Sequence, residues 1–361
     1  MKHIVYTCFL AILFLTSCKT NSRTLITNAN KDITYWGRVD TTATDSTDLH
    51  WSGTSIKLNF EGSDIEALLQ DEKGENYYNI LVDNDSTKLL RLDTTKRYYT
   101  LARNLKKGKH TVELFKRTEW DKGKTSFFGF KLNKKGKILP KDTPKTRKIE
   151  FYGNSITAGY AVEDYTGNDR PDSTYTNNYL SYAAITARHF NAEYRAICKS
   201  GIGITVSWFP IIMPELYNRL NPNNKNSLWD FSLYQPDIVV VNLFQNDSWI
   251  VNMPKNEEFK HRFGNKKPED DFFVTAYQNF ITSLRKEYPN AKIICALGAM
   301  NATKEDSKWM SFISKAATKL ADKNVYTHFM PYKNTPGHPS IKEQEDMAKS
   351  LITFIDKNID W

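Results

Sequence analysis

Hydrophobic and polar positions change their period once along the chain. Between about Ile33 and Leu139 they alternate: Ile56, Leu58 and Phe60 stand between polar neighbours, as do Ile65, Ala67 and Leu69, and then Val112 and Leu114. Such alternation marks strands with one buried face. Turn-forming clusters separate the runs, at Glu61-Gly62-Ser63-Asp64, Glu72 to Asn76, Asp83 to Ser86 and Lys106 to Lys109. Seven or eight strands at this spacing predict an antiparallel β-sandwich or jelly roll over residues 33–139. Residues 140–147, with Pro140 and Pro144 among basic side chains, read as a linker.

From Lys148 the period lengthens. Strands are expected at 148–152, 192–199, 237–243, 291–297 and 324–329, and helices near 175–190, 270–288, 304–322 and 340–355. Strands alternating with helices of this length predict an α/β domain over 148–361, a parallel sheet covered on both faces. In such sheets ligands bind at the carboxyl ends of the strands. A chain of 361 residues suits two domains, each large enough for its own core. The short linker makes the first domain scaffold and cleft wall rather than a free-standing module.

The first eighteen residues stand outside this pattern. Lys2 and His3 precede an apolar run, Ile4 to Leu15, that ends at Leu15-Thr16-Ser17-Cys18. The run is too short and wrongly flanked for a standing membrane span, and reads as a targeting segment. Its ending resembles a bacterial lipobox, which implies cleavage before Cys18 and a lipid on its sulfur; an ordinary secretory peptide is the alternative. Residues 19–32 then form a polar tether. The expected location is across the inner membrane, periplasmic or at the cell surface, with the membrane touched only through that anchor.

Of the remaining cysteines, Cys198 and Cys295 lie in apolar strand-like runs and are expected as buried free thiols. The histidines stand without neighbouring ligands at zinc-site intervals, so no metal is expected, nor any other cofactor. With 40% hydrophobic and 25% charged residues the chain is a folded one. Its net charge of +9 is spread along the chain in clusters that coincide with turns. No basic helix accompanies them, which argues against a nucleic-acid partner.

The candidate chemistry gathers at strand ends. Gly153-Asn154-Ser155-Ile156-Thr157 follows the first α/β strand and presents a serine, whose hydroxyl needs a base and converging donors to act as a nucleophile. After the second strand, Gly201 lets a backbone N–H approach a developing oxyanion. After the third, Asn246 offers a side-chain amide. After the last, Gly337-His338-Pro339-Ser340 sets an imidazole in a rigid turn. Each alone is equally well a turn or cap residue; four at four ends of one sheet make a hydrolase site.

These blocks resemble the SGNH (GDSL-type) hydrolases. The first domain adds Tyr35-Trp36-Gly37-Arg38, Trp51-Ser52-Gly53, Gly108 to Val112 and Phe127-Phe128-Gly129-Phe130, which look like the jelly roll of the family 2 carbohydrate esterases of acetylxylan esterase type. The resemblance implies a flavodoxin-like three-layer α/β/α SGNH domain. It implies removal of O-acetyl groups from plant polysaccharides such as xylan or mannan, or from their oligosaccharides, without a metal. Carried over, Ser155 is nucleophile and His338 base; the Ser155 and Gly201 N–H groups with the Asn246 side chain form the oxyanion hole. Trp208 and Trp249 are candidate sugar platforms or acyl-pocket walls, with core packing as the alternative reading.

The chain departs from the family pattern at Asn154, at Gln245, and where an acid usually precedes the histidine, since positions 335 and 336 are Thr335 and Pro336. A Ser-His dyad follows, its imidazole held by the carbonyl of Asn334 or Thr335. His328 is the second candidate base. Glu163, Asp164 and Asp169 receive no role. Two other functions stay open: an SGNH esterase or thioesterase on lipid or small acyl esters, and an inactive lipid-anchored glycan-binding protein.

Overall fold

The structure is a computed structural model that describes residues 24–361. Cys18 and the first part of the expected tether lie outside the described residues.

The N-terminal half is a sandwich of two six-stranded antiparallel sheets. In the first, β3 (Val39–Asp40), β4 (Thr47–Leu49), β11 (Thr125–Leu132), β6 (Ile65–Asp71) and β9 (Arg97–Ala102) lie side by side, with β1 (Thr24–Thr27) also on β11. In the second, the order is β12 (Lys137–Ile138), β5 (Ser55–Glu61), β10 (Lys109–Lys116), β7 (Tyr77–Val82) and β8 (Asp85–Arg91), with β2 (Thr34–Trp36) on β5. The alternation explains the core: Ile56, Leu58, Phe60, Ile65, Ala67, Leu69, Val112 and Leu114 all turn inward and are buried. Residues 24–27, expected in the tether, instead form a strand. Ile26 turns into the sandwich while Leu25 faces out at 66% exposure, an alternation too short to stand out in the sequence.

The second half holds a parallel sheet in the order β14 (Glu193–Cys198), β13 (Lys148–Gly153), β15 (Ile238–Asn242), β16 (Lys292–Leu297) and β17 (Val325–Phe329). Taken in chain order this is 2-1-3-4-5, the flavodoxin-like arrangement. Helix α2 (Tyr182–His189) and α8 (Ile341–Asn358) cover one face; α6 (Asp270–Glu287) and α7 (Trp309–Leu320) cover the other. Successive strand residues supply the two cores in turn, Val239, Val241, Ile293 and Cys295 to one and Ile238, Val240, Ile294 and Ala296 to the other. Cys198 and Cys295 are buried free thiols, as expected. Four short helices were not legible: α1 (Ser155–Ala158), α3 (Met213–Leu216), α4 (Gln245–Ile250) and α5 (Glu257–Phe263). The helix expected near 175–190 is confined to Tyr182–His189, because Asn177 and Ser181 turn their side chains back to cap backbone N–H groups.

The two halves share buried contacts. Arg38 reaches from the sandwich to Glu150 on β13 at 3.2 Å, with both side chains fully buried, and its other nitrogen donates to the carbonyls of Tyr217 and Arg219. The Trp51 indole donates to the Leu220 carbonyl at 2.8 Å and joins the α/β core. Removing either partner of a buried ion pair leaves the other charge uncompensated, so these contacts hold the sandwich against β13 and the segment at 217–220.

Candidate active site

Strand β13 ends at Gly153, where an added Cβ would lie 2.0 Å from the Thr157 hydroxyl, so only glycine lets the chain turn this tightly. Asn154 then caps α1, its side-chain oxygen accepting the Ile156 N–H at 3.0 Å. Gly159, in the left-handed region at φ 70°, ends the helix. Ser155 is thereby fixed at the first position of a one-turn helix, 7% exposed, with a backbone N–H that has no intrahelical acceptor.

His338 arrives from the loop between β17 and α8. Its Nε2 lies 2.8 Å from Ser155 Oγ. Its Nδ1 lies 2.8 Å from Asp169 Oδ2, and its backbone N–H donates to Asp169 Oδ1, also at 2.8 Å. The dyad expected from the sequence is therefore corrected: a carboxylate, not a backbone carbonyl, faces the imidazole. The Thr335 carbonyl is turned the other way and accepts from Lys333 Nζ at 3.0 Å, as does the Pro336 carbonyl. The acid escaped notice because it comes from a loop on the far side of the sequence, not from the turn beside the histidine.

That loop is knotted around a second carboxylate. Asp164 accepts from the Thr166 hydroxyl at 2.7 Å, from the Arg170 N–H at 2.8 Å and from the Arg170 guanidinium. Hydrogen bonds from Arg170 first, then from the backbone and Thr166, hold the Asp164 carboxyl well below the ordinary carboxylate range. Asp169 sits inside this knot at φ 54°. Burial pushes its carboxyl up, but the hydrogen bonds and charge of His338, with Lys333, bring it below its ordinary value. Tyr160 closes the arrangement: its ring packs edge-on to the imidazole at 4.8 Å, and its hydroxyl donates to the Asp169 carbonyl. The sequence signal for Asp169 was an acidic, turn-forming loop soon after the serine block.

The sandwich holds the same loop from outside. Arg117, at the end of β10, donates to Glu163 and to the carbonyls of Thr174 and Thr176, while Asn177 donates to Glu163 at 3.1 Å. Glu119 reaches the next strand end and accepts both the N–H and the hydroxyl of Ser200.

The remaining expected residues stand on neighbouring strand ends. Gly153 pairs in register with Cys198 of β14 and Asn242 of β15, so Ser155, Gly201 and Asn246 follow adjacent strands by a few residues each. Gly201 takes φ 84°, and Asn246, 3% exposed, donates its amide to the Ile202 carbonyl at 2.8 Å. Asp247 beside it accepts the Ile204, Thr205 and Val206 N–H groups and the Thr205 hydroxyl. These bonds shape the loop after β14, though burial pushes the Asp247 carboxyl up. Trp208, 44% exposed, donates its indole N–H to Asn246 Oδ1 at 3.1 Å.

Trp249 lines a groove of about 530 Å³ with Asp169, Asn301, Tyr332 and the loop up to Gly337. Its walls include Asp169, which faces the imidazole, and Gly337, the residue before His338. His328 is set apart: it bonds Ser350 at 3.0 Å, and burial lowers its pKa, so it is not placed with Ser155. Among the described residues no group of three or more His, Cys, Asp or Glu side chains is arranged to hold a metal.

Several known proteins share this architecture. The carbohydrate esterase 2 N-terminal family model matches residues 35–141. The chain is 33% identical over 92% of its length to the cellulase/esterase CelE of Acetivibrio thermocellus, of which it spans only 40%. It is 24% identical to an acetylxylan esterase/glucomannan deacetylase of Cellvibrio japonicus, with 96% of each covered. A family two carbohydrate esterase from Clostridium thermocellum, solved in complex with cellohexaose, is 33% identical and superposes with a TM-score of 0.79 over 90% of this chain and 98% of that one. One from Cellvibrio japonicus, at 23% identity, has the same fold with a TM-score of 0.83 over 94% and 99%.

Proposed function

The chain belongs to the family 2 carbohydrate esterases, and from that membership we propose that it removes O-acetyl groups from the sugars of plant polysaccharides, xylan, mannan or their oligosaccharides. The observation that carries this is the unbroken line of 2.8 Å contacts from Ser155 Oγ through the His338 ring to Asp169. Asp169 holds Nδ1 protonated, which leaves Nε2 free to take the serine proton as Oγ attacks the acetyl carbonyl. The Ser155 and Gly201 N–H groups and the Asn246 amide stabilise the oxyanion of the tetrahedral intermediate. His338 then protonates the departing sugar oxygen, and water releases acetate from the acyl-serine by the same steps in reverse order. The groove beside Trp249 supports a sugar as the leaving group, its ring stacking on an aromatic face.

The test is acetate release from acetylated xylan and glucomannan oligosaccharides, alongside hydrolysis of an aryl acetate. Ser155→Ala is expected to lower kcat on both by about 10⁴-fold or more. Unchanged turnover of either by that variant overturns the assignment, and saccharide binding without turnover by the wild type favours a glycan-binding role. The lipid on Cys18, with a periplasmic or cell-surface location, is part of the same proposal. Cys18→Ala should release the protein from the membrane fraction, and retention there refutes the anchor.

A further inference from the structure

Two bonds from one residue tie together the donors that follow β14 and β15. The Trp208 backbone N–H donates to the Gly201 carbonyl at 3.0 Å, and its indole N–H donates to Asn246 Oδ1 at 3.1 Å. A side-chain amide has one accepting and one donating end, and an indole N–H can only donate. Asn246 must therefore turn its oxygen to Trp208. Its nitrogen faces the Ile202 carbonyl at 2.8 Å, which can only accept, so the two partners demand the same orientation. The nitrogen carries a second N–H, which takes no protein acceptor among the described residues. Trp208 also lies against Gly201, its Cβ and Cδ1 each 3.3 Å from where a Cβ on that glycine would sit. Yet at 44% exposure the ring contributes little to the core.

We propose that Trp208 is a positioning residue of the oxyanion hole, its indole N–H holding the Asn246 amide so that one N–H is kept for the reacting carbonyl oxygen. This differs from a sugar platform, and it rests on the assignment of Asn246 as an oxyanion donor. Without the indole donor the amide is held at one end only. It can then rotate or flip and present its oxygen to the developing negative charge. The loss falls on the transition state and not on ground-state binding of substrate. It falls equally on a sugar acetate and on an ester with no sugar.

The experiment compares kcat and KM for an aryl acetate and for an acetylated xylo-oligosaccharide in the wild type, Trp208→Phe, Asn246→Ala and the double variant. Trp208→Phe keeps an aromatic face and removes the donor. It is expected to lower kcat about tenfold on both substrates with KM within about twofold, a part of the 10²- to 10³-fold that deleting a whole donor costs. Because Trp208 acts through Asn246, the double variant should be no slower than Asn246→Ala alone. Should Trp208→Phe raise KM for the oligosaccharide and leave the aryl acetate untouched, Trp208 is a platform and the inference fails. Independent, multiplicative losses in the double variant overturn it as well. If Asn246→Ala itself keeps full kcat while Ser155→Ala is dead, the oxyanion assignment beneath the inference is wrong although the esterase assignment stands. Matching melting temperatures of the wild type and Trp208→Phe tie the kinetic change to the site.

Discussion

The serine elbow and the loop carrying Asp169 lie within a few residues of each other in sequence and meet at His338, yet they are held in opposite ways. The elbow, residues 153–159, takes its turn from its own atoms, a glycine where a Cβ would collide, an asparagine cap and a left-handed glycine stop, while Gln344 and Asn178 only add side-chain bonds to its Ile156 and Thr157 carbonyls. The loop, residues 160–177, contains a local knot at Asp164, but its placement depends on Arg117 of the sandwich and on the backbone of His338. One end of the proton relay is written locally. The other is written by the assembly of two domains.

Breaking the long-range partner of the relay is expected to have the largest effect. In Asp169→Asn the new amide would keep one oxygen for the His338 N–H and set its NH₂ against Nδ1. The imidazole would then carry its proton on Nε2, the wrong side to accept from Ser155. A fall in kcat of about 10³- to 10⁴-fold at nearly constant KM is expected, with little change in melting temperature. Retention of activity within tenfold would restore the dyad. Next comes Arg117→Met, which strands Glu163 and unties the Thr174 and Thr176 carbonyls. The Arg117 side chain is 4% exposed and Glu163 is 25%, so the cost is set near the low end for a broken buried pair, about 3 kcal/mol in a denaturant titration. If the loop needs the sandwich, kcat also falls, by about tenfold, in the fraction that stays folded. An unchanged kcat would show that the local knot suffices.

The same contrast decides what was legible in the sequence. Alternation from Ile56 to Phe60 gave the sandwich, and continuous apolar runs such as Ile238 to Val241 and Ile293 to Leu297, separated by helices, gave the parallel sheet, because burial on one or both strand faces is a local pattern; its flavodoxin-like order came from the family resemblance. Ser155 and His338 were found at strand ends for the same reason. Asp169 was not, since nothing within a few residues of it states that it meets a histidine 169 positions later. Only Gly337 hints at the meeting: an added Cβ would come within 2.8 Å of the Gly167 carbonyl and 2.9 Å of Asp169 Oδ1. The strand at 24–27 was missed because it depends on Gly129. A side chain there would meet the Ile26 carbonyl at 2.1 Å, a requirement visible only after the two strands pair.

Asn154→Ala sharpens the comparison from the local side. It removes the cap of α1, a loss of about 1 kcal/mol, and touches no residue of the Asp169 loop. In a double variant with Arg117→Met the two stability losses should add, as they do for sites without shared partners. Coupling between them would mean that elbow and loop form one unit after all.

The smallest effect separates the regions by charge. Nothing in the elbow titrates between pH 2 and 6, whereas the loop holds two carboxylates whose folded pKa values are depressed, Asp164 chiefly by Arg170 and Asp169 by His338 against the pull of burial. A depressed carboxylate stabilises the folded state above its unfolded pKa, about 3.9, and loses that contribution as pH falls through its folded value. Stabilisation of the loop is therefore complete near neutrality and decays below about pH 4. Amide exchange, corrected for its intrinsic pH dependence, reads this at two places. Protection of the Arg170 N–H, bonded to Asp164, should fall on acidification, while the Ile156 N–H, bonded to Asn154, follows global stability alone. Asp164→Asn should flatten the first dependence and leave the second. Parallel loss at both amides would mean that acid opens the whole α/β domain and that the loop has no separate hold on its own position.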